Sequence, residues 1–155
     1  MFDHLKNLLL PKTEKKPQLF EKEERLQTAT CVLFIEIAGA DGNITSDEKL
    51  LITNIIKNKF NLNDKSIKEL LHYAELKIEA SSDLYQFTTL INSSFSREEK
   101  FGLMINLWQL VYNDNKLDKY EDYLIKKIGG LLNLDHKEII DAKLIVKEKI
   151  KKDNL

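Results

Sequence analysis

The 155-residue chain is 43% hydrophobic and 32% charged, the balance of a globular domain with a sizeable core rather than of a disordered or membrane-spanning protein. Its formal net charge of −1 supplies no global attraction for nucleic acid, so no nucleic-acid partner is expected. Five glycines and two prolines leave long helices unbroken, and the single cysteine, Cys31, excludes an internal disulfide framework and suits a reducing compartment.

No apolar run approaches the roughly 20 residues that span a bilayer. The N-terminal MFDHLKNLLLPK lacks the long apolar region and small-residue cleavage site of a signal peptide, so a cytoplasmic location is expected. Residues 1–20 nevertheless differ from the rest. The spacing of FDHLKNLLL predicts two turns of amphipathic helix with Phe2, Leu5, Leu8 and Leu9 on one side, and PKTEKKPQ reads as a linker. Two readings follow. The segment is a peripheral contact with the inner membrane face or a docking element, or it is a short helix, marginal alone, that packs on its own domain.

Residues 21–155 show helical periodicity nearly throughout. A first helix, about 22–40, carries Leu26, Ala29, Leu33, Ile37 and Ala40 at three- and four-residue spacing. A second, 46–60, places Leu51, Ile52, Ile55, Ile56 and Phe60 on one face. A third, about 64–80, has Ile67, Leu70, Leu71 and Ala74, and a fourth, about 83–93, has Leu84, Phe87, Leu90 and Ile91. The fifth starts at Ser96 with Phe101, Met104, Ile105, Trp108, Val111 and Tyr112. The sixth, from about Lys119, shows Tyr120, Leu124, Ile125, Ile128, Leu131 and Leu132. The seventh begins near Asp135 and uses Ile139, Ala142, Val146 and Ile150. About seven helices with short connections predict a compact all-α bundle.

The sequence also repeats itself. IEIAGADGNITSDEKLLITNIIKNKFNL lies over WQLVYNDNKLDKYEDYLIKKIGGLLNL, so that Asp41 meets Asp114, Ile44 meets Leu117 and Glu48 meets Glu121. Leu51, Ile52 and Ile55 meet Leu124, Ile125 and Ile128. Dropping one residue in the second copy brings Phe60 and Leu62 onto Leu132 and Leu134. The match predicts a duplicated helix–acidic loop–helix unit with internal two-fold pseudosymmetry.

Most of the repeated core, Asp-(Gly/Asn)-x-(Ile/Leu)-x-x-x-Glu, has a structural use. Gly42 and Asn115 can take the left-handed conformation that ends a helix. Thr45 with Glu48, and Asp118 with Glu121, read as capping boxes, as does Ser96 with Glu99. Capping does not account for the aspartates. An acid in the last turn of a helix faces the negative end of the dipole at a cost of about 0.3–1 kcal/mol, and that placement occurs twice, each time seven residues before a glutamate. A cation held by Asp41, Glu48, Asp114 and Glu121 would offset it.

The Asp-to-Glu spacing equals the back half of an EF-hand loop. The front half is missing, because Ile37 and Gly39, or Leu110 and Tyr112, stand where its first ligands belong. An all-oxygen donor set would favour Ca²⁺, Mg²⁺ or Mn²⁺ over Zn²⁺. The bland alternative is turn and cap chemistry with no ion.

ADGNITSDE, LYQFTTLINSSFSREEK, LWQLVYNDNKLDKYEDYLIKKIGGLL and LDHKEIIDAK, in that order, resemble the tellurite-resistance TerB-like family, above all its stand-alone bacterial members. The resemblance covers about 24–147. It implies an all-helical fold with internal two-fold pseudosymmetry, an acidic cluster proposed to bind metal, and a link to stress-response systems near the inner membrane face. The family's acidic motif carries over to Asp41 and Glu48, and to Asp114 and Glu121. The sequence departs from the pattern at Asn115, where the second copy usually has Gly.

Other residues offer less. His4, His72 and His136 have no His or Cys at metal-ligand spacing and read as surface or packing residues. Cys31 reads as a buried thiol and Trp108 as core. No phosphate loop, nucleophile elbow or zincin helix occurs, and the basic LIVKEKIKKDNL reads as a solvated helix end. The expectation is a non-catalytic, divalent-metal-binding scaffold with a protein partner. The alternatives are a metal-dependent hydrolase using the four acids and a peripheral membrane adaptor anchored through residues 1–20.

Overall fold

The structure is a computed structural model that describes residues 17–80, 83–113 and 119–153, the side chains of 17–21 and 41 excepted. Among them run seven α-helices and no strand: α1 (Pro17–Ala38), α2 (Ser46–Phe60), α3 (Asp64–Ala80), α4 (Tyr85–Ser94), α5 (Arg97–Val111), α6 (Lys119–Leu131) and α7 (His136–Asp153). A single 3-10 turn, Gly39–Asp41, follows α1. The all-α expectation holds, with helix ends within a few residues of their predicted places. The main difference is at α1, which begins at Pro17, inside the stretch read as linker. Proline is well suited to a first helical position, where its missing N–H has no partner to lose.

α1 is the axis of the bundle. It packs against α2, α3, α4, α5 and α6, and every residue from Gln27 to Phe34 is buried. The three- and four-residue spacing predicted one apolar stripe, but this stretch is enclosed on all sides. Its hydroxyls fit there because Thr28 Oγ1 donates to the Glu24 carbonyl at 2.8 Å and Thr30 Oγ1 to the Leu26 carbonyl at 2.9 Å. A buried hydroxyl satisfied within its own helix leaves its methyl group to pack.

The helices of the two copies pair in the same pattern. In the first, α1 packs on α2 and α3, and α2 on α3; in the second, α5 packs on α6 and α7, and α6 on α7. Across the copies, α1 meets α6 and α5 meets α2. The second helix of each copy ends in the same motif. Asn61 (φ 54°) and Asn133 (φ 62°) are left-handed. Leu62 N then donates to the Lys57 carbonyl at 3.0 Å, and Leu134 N to that of Gly129 at 3.1 Å. α4 lies between the copies, held by packing on α1 and α6 and by a 2.9 Å hydrogen bond from Asn92 Nδ2 to the Leu131 carbonyl.

α5 is closed onto α7 by Trp108, fully buried, whose indole N–H donates to the Ile139 carbonyl at 3.0 Å. Gly129 on α6 allows Ile139 to approach closely, since a Cβ there would lie 2.5 Å from Ile139 Cδ1.

Candidate metal centre

The first acidic loop is built by local rules. α1 tightens into the 3-10 turn ending at Asp41, and Gly42, at φ 98°, donates its N–H to the Gly39 carbonyl at 3.0 Å. A residue with a Cβ would be strained at that φ. The chain then extends to Thr45, which caps α2. Glu48 N donates to Thr45 Oγ1 at 3.1 Å, and Thr45 N donates to Glu48 Oε1 at 2.9 Å. The predicted capping box is therefore present, and one oxygen of the half-buried Glu48 carboxylate serves it. The same reciprocal pair joins Ser96 and Glu99 at the start of α5.

In the second copy, Glu121 is in the first turn of α6 and is 8% exposed. Of the ionisable side chains described, it is the one carboxylate in the buried class. Asp114, Asn115, Leu117 and Asp118 lie outside the described residues, as does the side chain of Asp41. Their predicted capping and ligand roles therefore have no geometry here.

The tertiary packing adds a relation that the repeat alone does not give. The 3-10 turn carrying Asp41 packs against α6, the helix that carries Glu121. In the reciprocal place, α5, which leads to Asp114, packs against α2, which carries Glu48. The aspartate turn of one copy is thus brought to the glutamate helix of the other. Among the described residues, no three His, Cys, Asp or Glu side chains come together as ligands. The donor chemistry fits a hard divalent cation: Glu48 keeps its second oxygen outside the cap, and all four candidates are carboxylates.

A second polar group lies where α5, α6 and α7 meet. Asp122 accepts from Lys126 at 2.7 Å and from Lys143 at 3.3 Å, and the Lys143 ammonium stands 5.1 Å from the Trp108 ring centroid. Burial pushes the Asp122 carboxyl up, but the two lysines outweigh it and hold the group below the usual carboxylate range. Tyr112, stacked on Trp108 at 6.1 Å, is raised by burial and by the charge of Asp122. Sequence reasoning missed this group because its members come from three helices; the i,i+4 spacing of Asp122 and Lys126 was the only local signal.

His72 and His136 are exposed, whereas His4 lies outside the described residues. The Cys31 thiol is fully buried and pushed far up by desolvation, which removes the thiolate a nucleophile needs. No helix of the described residues is long and apolar enough to cross a membrane.

Comparison with known families finds one match, to a model described as tellurite resistance protein TerB, over residues 27–144. The match spans more than half of the chain and takes in both copies of the repeat from Gln27 onward. Curated proteins and solved structures gave no match.

Proposed function

The chain belongs to the tellurite-resistance TerB family, and from that premise we propose that it is a non-catalytic module whose two acidic loops bind a divalent cation and order one face of the bundle for a protein partner. One observation carries the reading: the 3-10 turn ending at Asp41 packs on the helix whose first turn buries Glu121. Asp41, Glu48, Asp114 and Glu121 would supply oxygen donors suited to Ca²⁺, Mg²⁺ or Mn²⁺ rather than Zn²⁺. Bound there, the ion would neutralise the acids and tie the two copies together. The stress-response role and a cytoplasmic place at the inner membrane face belong to this same proposal.

The test is thermal unfolding of metal-stripped protein titrated with each cation, beside the Asp41→Asn/Asp114→Asn double variant. A cation that binds only the folded state raises the midpoint by mass action, by about 2.7 kcal/mol of stability at a hundred times its Kd. The expected result is a shift in the wild type that the double variant lacks. No shift in either would reduce the loops to turn and cap chemistry. A hydrolase panel with and without Mn²⁺ should be silent, and turnover would overturn the non-catalytic reading.

A further inference from the structure

Two clefts open at corresponding places on the bundle. One, of about 370 Å³, is lined by residues that include Glu36 on α1, Ile78 on α3 and Leu124 on α6. The other, of about 390 Å³, is lined by residues that include Gln109 on α5, Ile150 on α7 and Leu51 on α2. In the repeat, Glu36 falls on Gln109 and Leu124 on Leu51; past the dropped residue, Ile78 falls on Ile150. Each cleft is therefore the seam between the first and third helices of one copy and the second helix of the other.

The clefts differ in chemistry. α4, which lies outside the repeat, adds Tyr85 and Phe87 to the first. The neutral amide of Gln109 is replaced there by the carboxylate of Glu36. Glu36 is half-buried, shares its wall with the buried Val32 and Phe87, and makes no hydrogen bond or ion pair among the described residues. A half-buried carboxylate that makes no pair of its own is a natural counter-ion for a cation entering the cleft. Asp83 also lines the cleft, where its Oδ1 accepts from the Tyr85 N–H at 2.8 Å, and the exposed Lys127 supplies the one ammonium among the lining residues. Tyr85 and Tyr120, 66% and 54% exposed, stand at its rim, and tyrosine faces attract organic cations.

We propose that the α1–α3–α4–α6 cleft binds an organic monocation on an apolar stem, an alkylammonium or a lysine side chain, with Glu36 as its counter-ion. The apolar stem lies on Phe87 and Leu124 and the charge reaches Glu36. The Gln109 cleft, of similar volume and with no carboxylate at that position, serves as the internal control. The proposal does not depend on metal at the acidic loops.

The test is a backbone-amide NMR titration of the full chain with n-hexylammonium, with n-hexanoate and with Nα-acetyl-lysine N-methylamide. n-Hexylammonium is expected to move the signals of Glu36, Phe87 and Leu124 with saturation and to leave those of Gln109, Leu51 and Ile150 in place. n-Hexanoate should move neither set. Glu36→Gln copies the residue that the second copy already carries, so it should fold, and it should weaken binding about tenfold or more, as expected for one charge-assisted hydrogen bond. Equal binding by the lysine derivative would assign the cleft to a partner protein's lysine, whereas binding of the alkylammonium alone would assign it to a free amine. Equal response of the two clefts, no response at Glu36, or unchanged affinity in Glu36→Gln would overturn the proposal.

Discussion

Trp108 and Ile139 are joined twice over: the indole N–H donates to the Ile139 carbonyl at 3.0 Å, and the Ile139 residue that offers that carbonyl also presses its side chain onto Gly129. One residue of α7 thus fixes the helix to both α5 and α6. Trp108→Phe removes the donor and the larger ring from a fully buried position. A buried acceptor left short and a small cavity together should cost about 2 kcal/mol. Urea unfolding followed by circular dichroism would measure it.

Gly129 and Gly130 make a paired test of close packing against helix propensity. Alanine at 129 would put its Cβ 2.5 Å from Ile139 Cδ1 and 3.3 Å from Met104 Cε, so both side chains must shift. At 130 the same Cβ meets nothing within 4 Å. Overpacking costs about 1–3 kcal/mol, against a propensity gain of up to about 1 kcal/mol. Gly129→Ala should therefore lower the unfolding midpoint and Gly130→Ala should raise it.

Glu48 allows capping to be separated from cation binding. Glu48→Gln keeps an oxygen to accept the Thr45 N–H, so stability in chelator should change by less than about 0.5 kcal/mol. Thr45→Ala breaks the box and should cost about 1 kcal/mol. If Glu48 is a ligand, Glu48→Gln should nevertheless lose part of the cation-induced rise in midpoint that Thr45→Ala retains. Equal rises in both variants would remove Glu48 from the ligand set.

Asp122 and Glu138 contribute to the acid limb of stability, beside the exposed Asp64, which its hydrogen bond from Lys57 also holds low. Asp122 is held low by Lys126 and Lys143 against the effect of its burial. Glu138 is held low by the backbone N–H of Asp135 and by the Arg97 guanidinium, which it pairs with in a two-pronged bridge. In both cases the folded form binds its proton less readily than the unfolded chain. Their contribution is therefore complete above the ordinary carboxylate range and is lost as pH falls below about 4. Denaturant midpoints measured from pH 6 to 2 should fall, and the Asp122→Asn variant should show a shallower fall in the acid limb.

Much of this molecule is written locally. The seven helices follow from apolar spacing and from boundary residues such as Thr45 and Ser96, whose capping boxes are contacts between residues three apart. The duplication is equally visible, and the matched left-handed Asn61 and Asn133 show that the two copies obey the same backbone rule. Even the candidate ligands are named by a short motif, because helix ends and loops are encoded within a few residues.

The set of helices, their caps and their pairing into two copies are thus legible in the residues alone. The enclosure of α1 along Gln27 to Phe34, the seating of the Asp41 turn on the helix of Glu121, and the placing of Glu36 in one cleft and its counterpart Gln109 in another emerge when the helices pack. The physical reason is range. Periodicity tells a helix which face is apolar, but whether a second face is also buried depends on how many neighbours converge on it. That number is set by the summed packing of all seven helices around one axis, with α4 wedged between the copies.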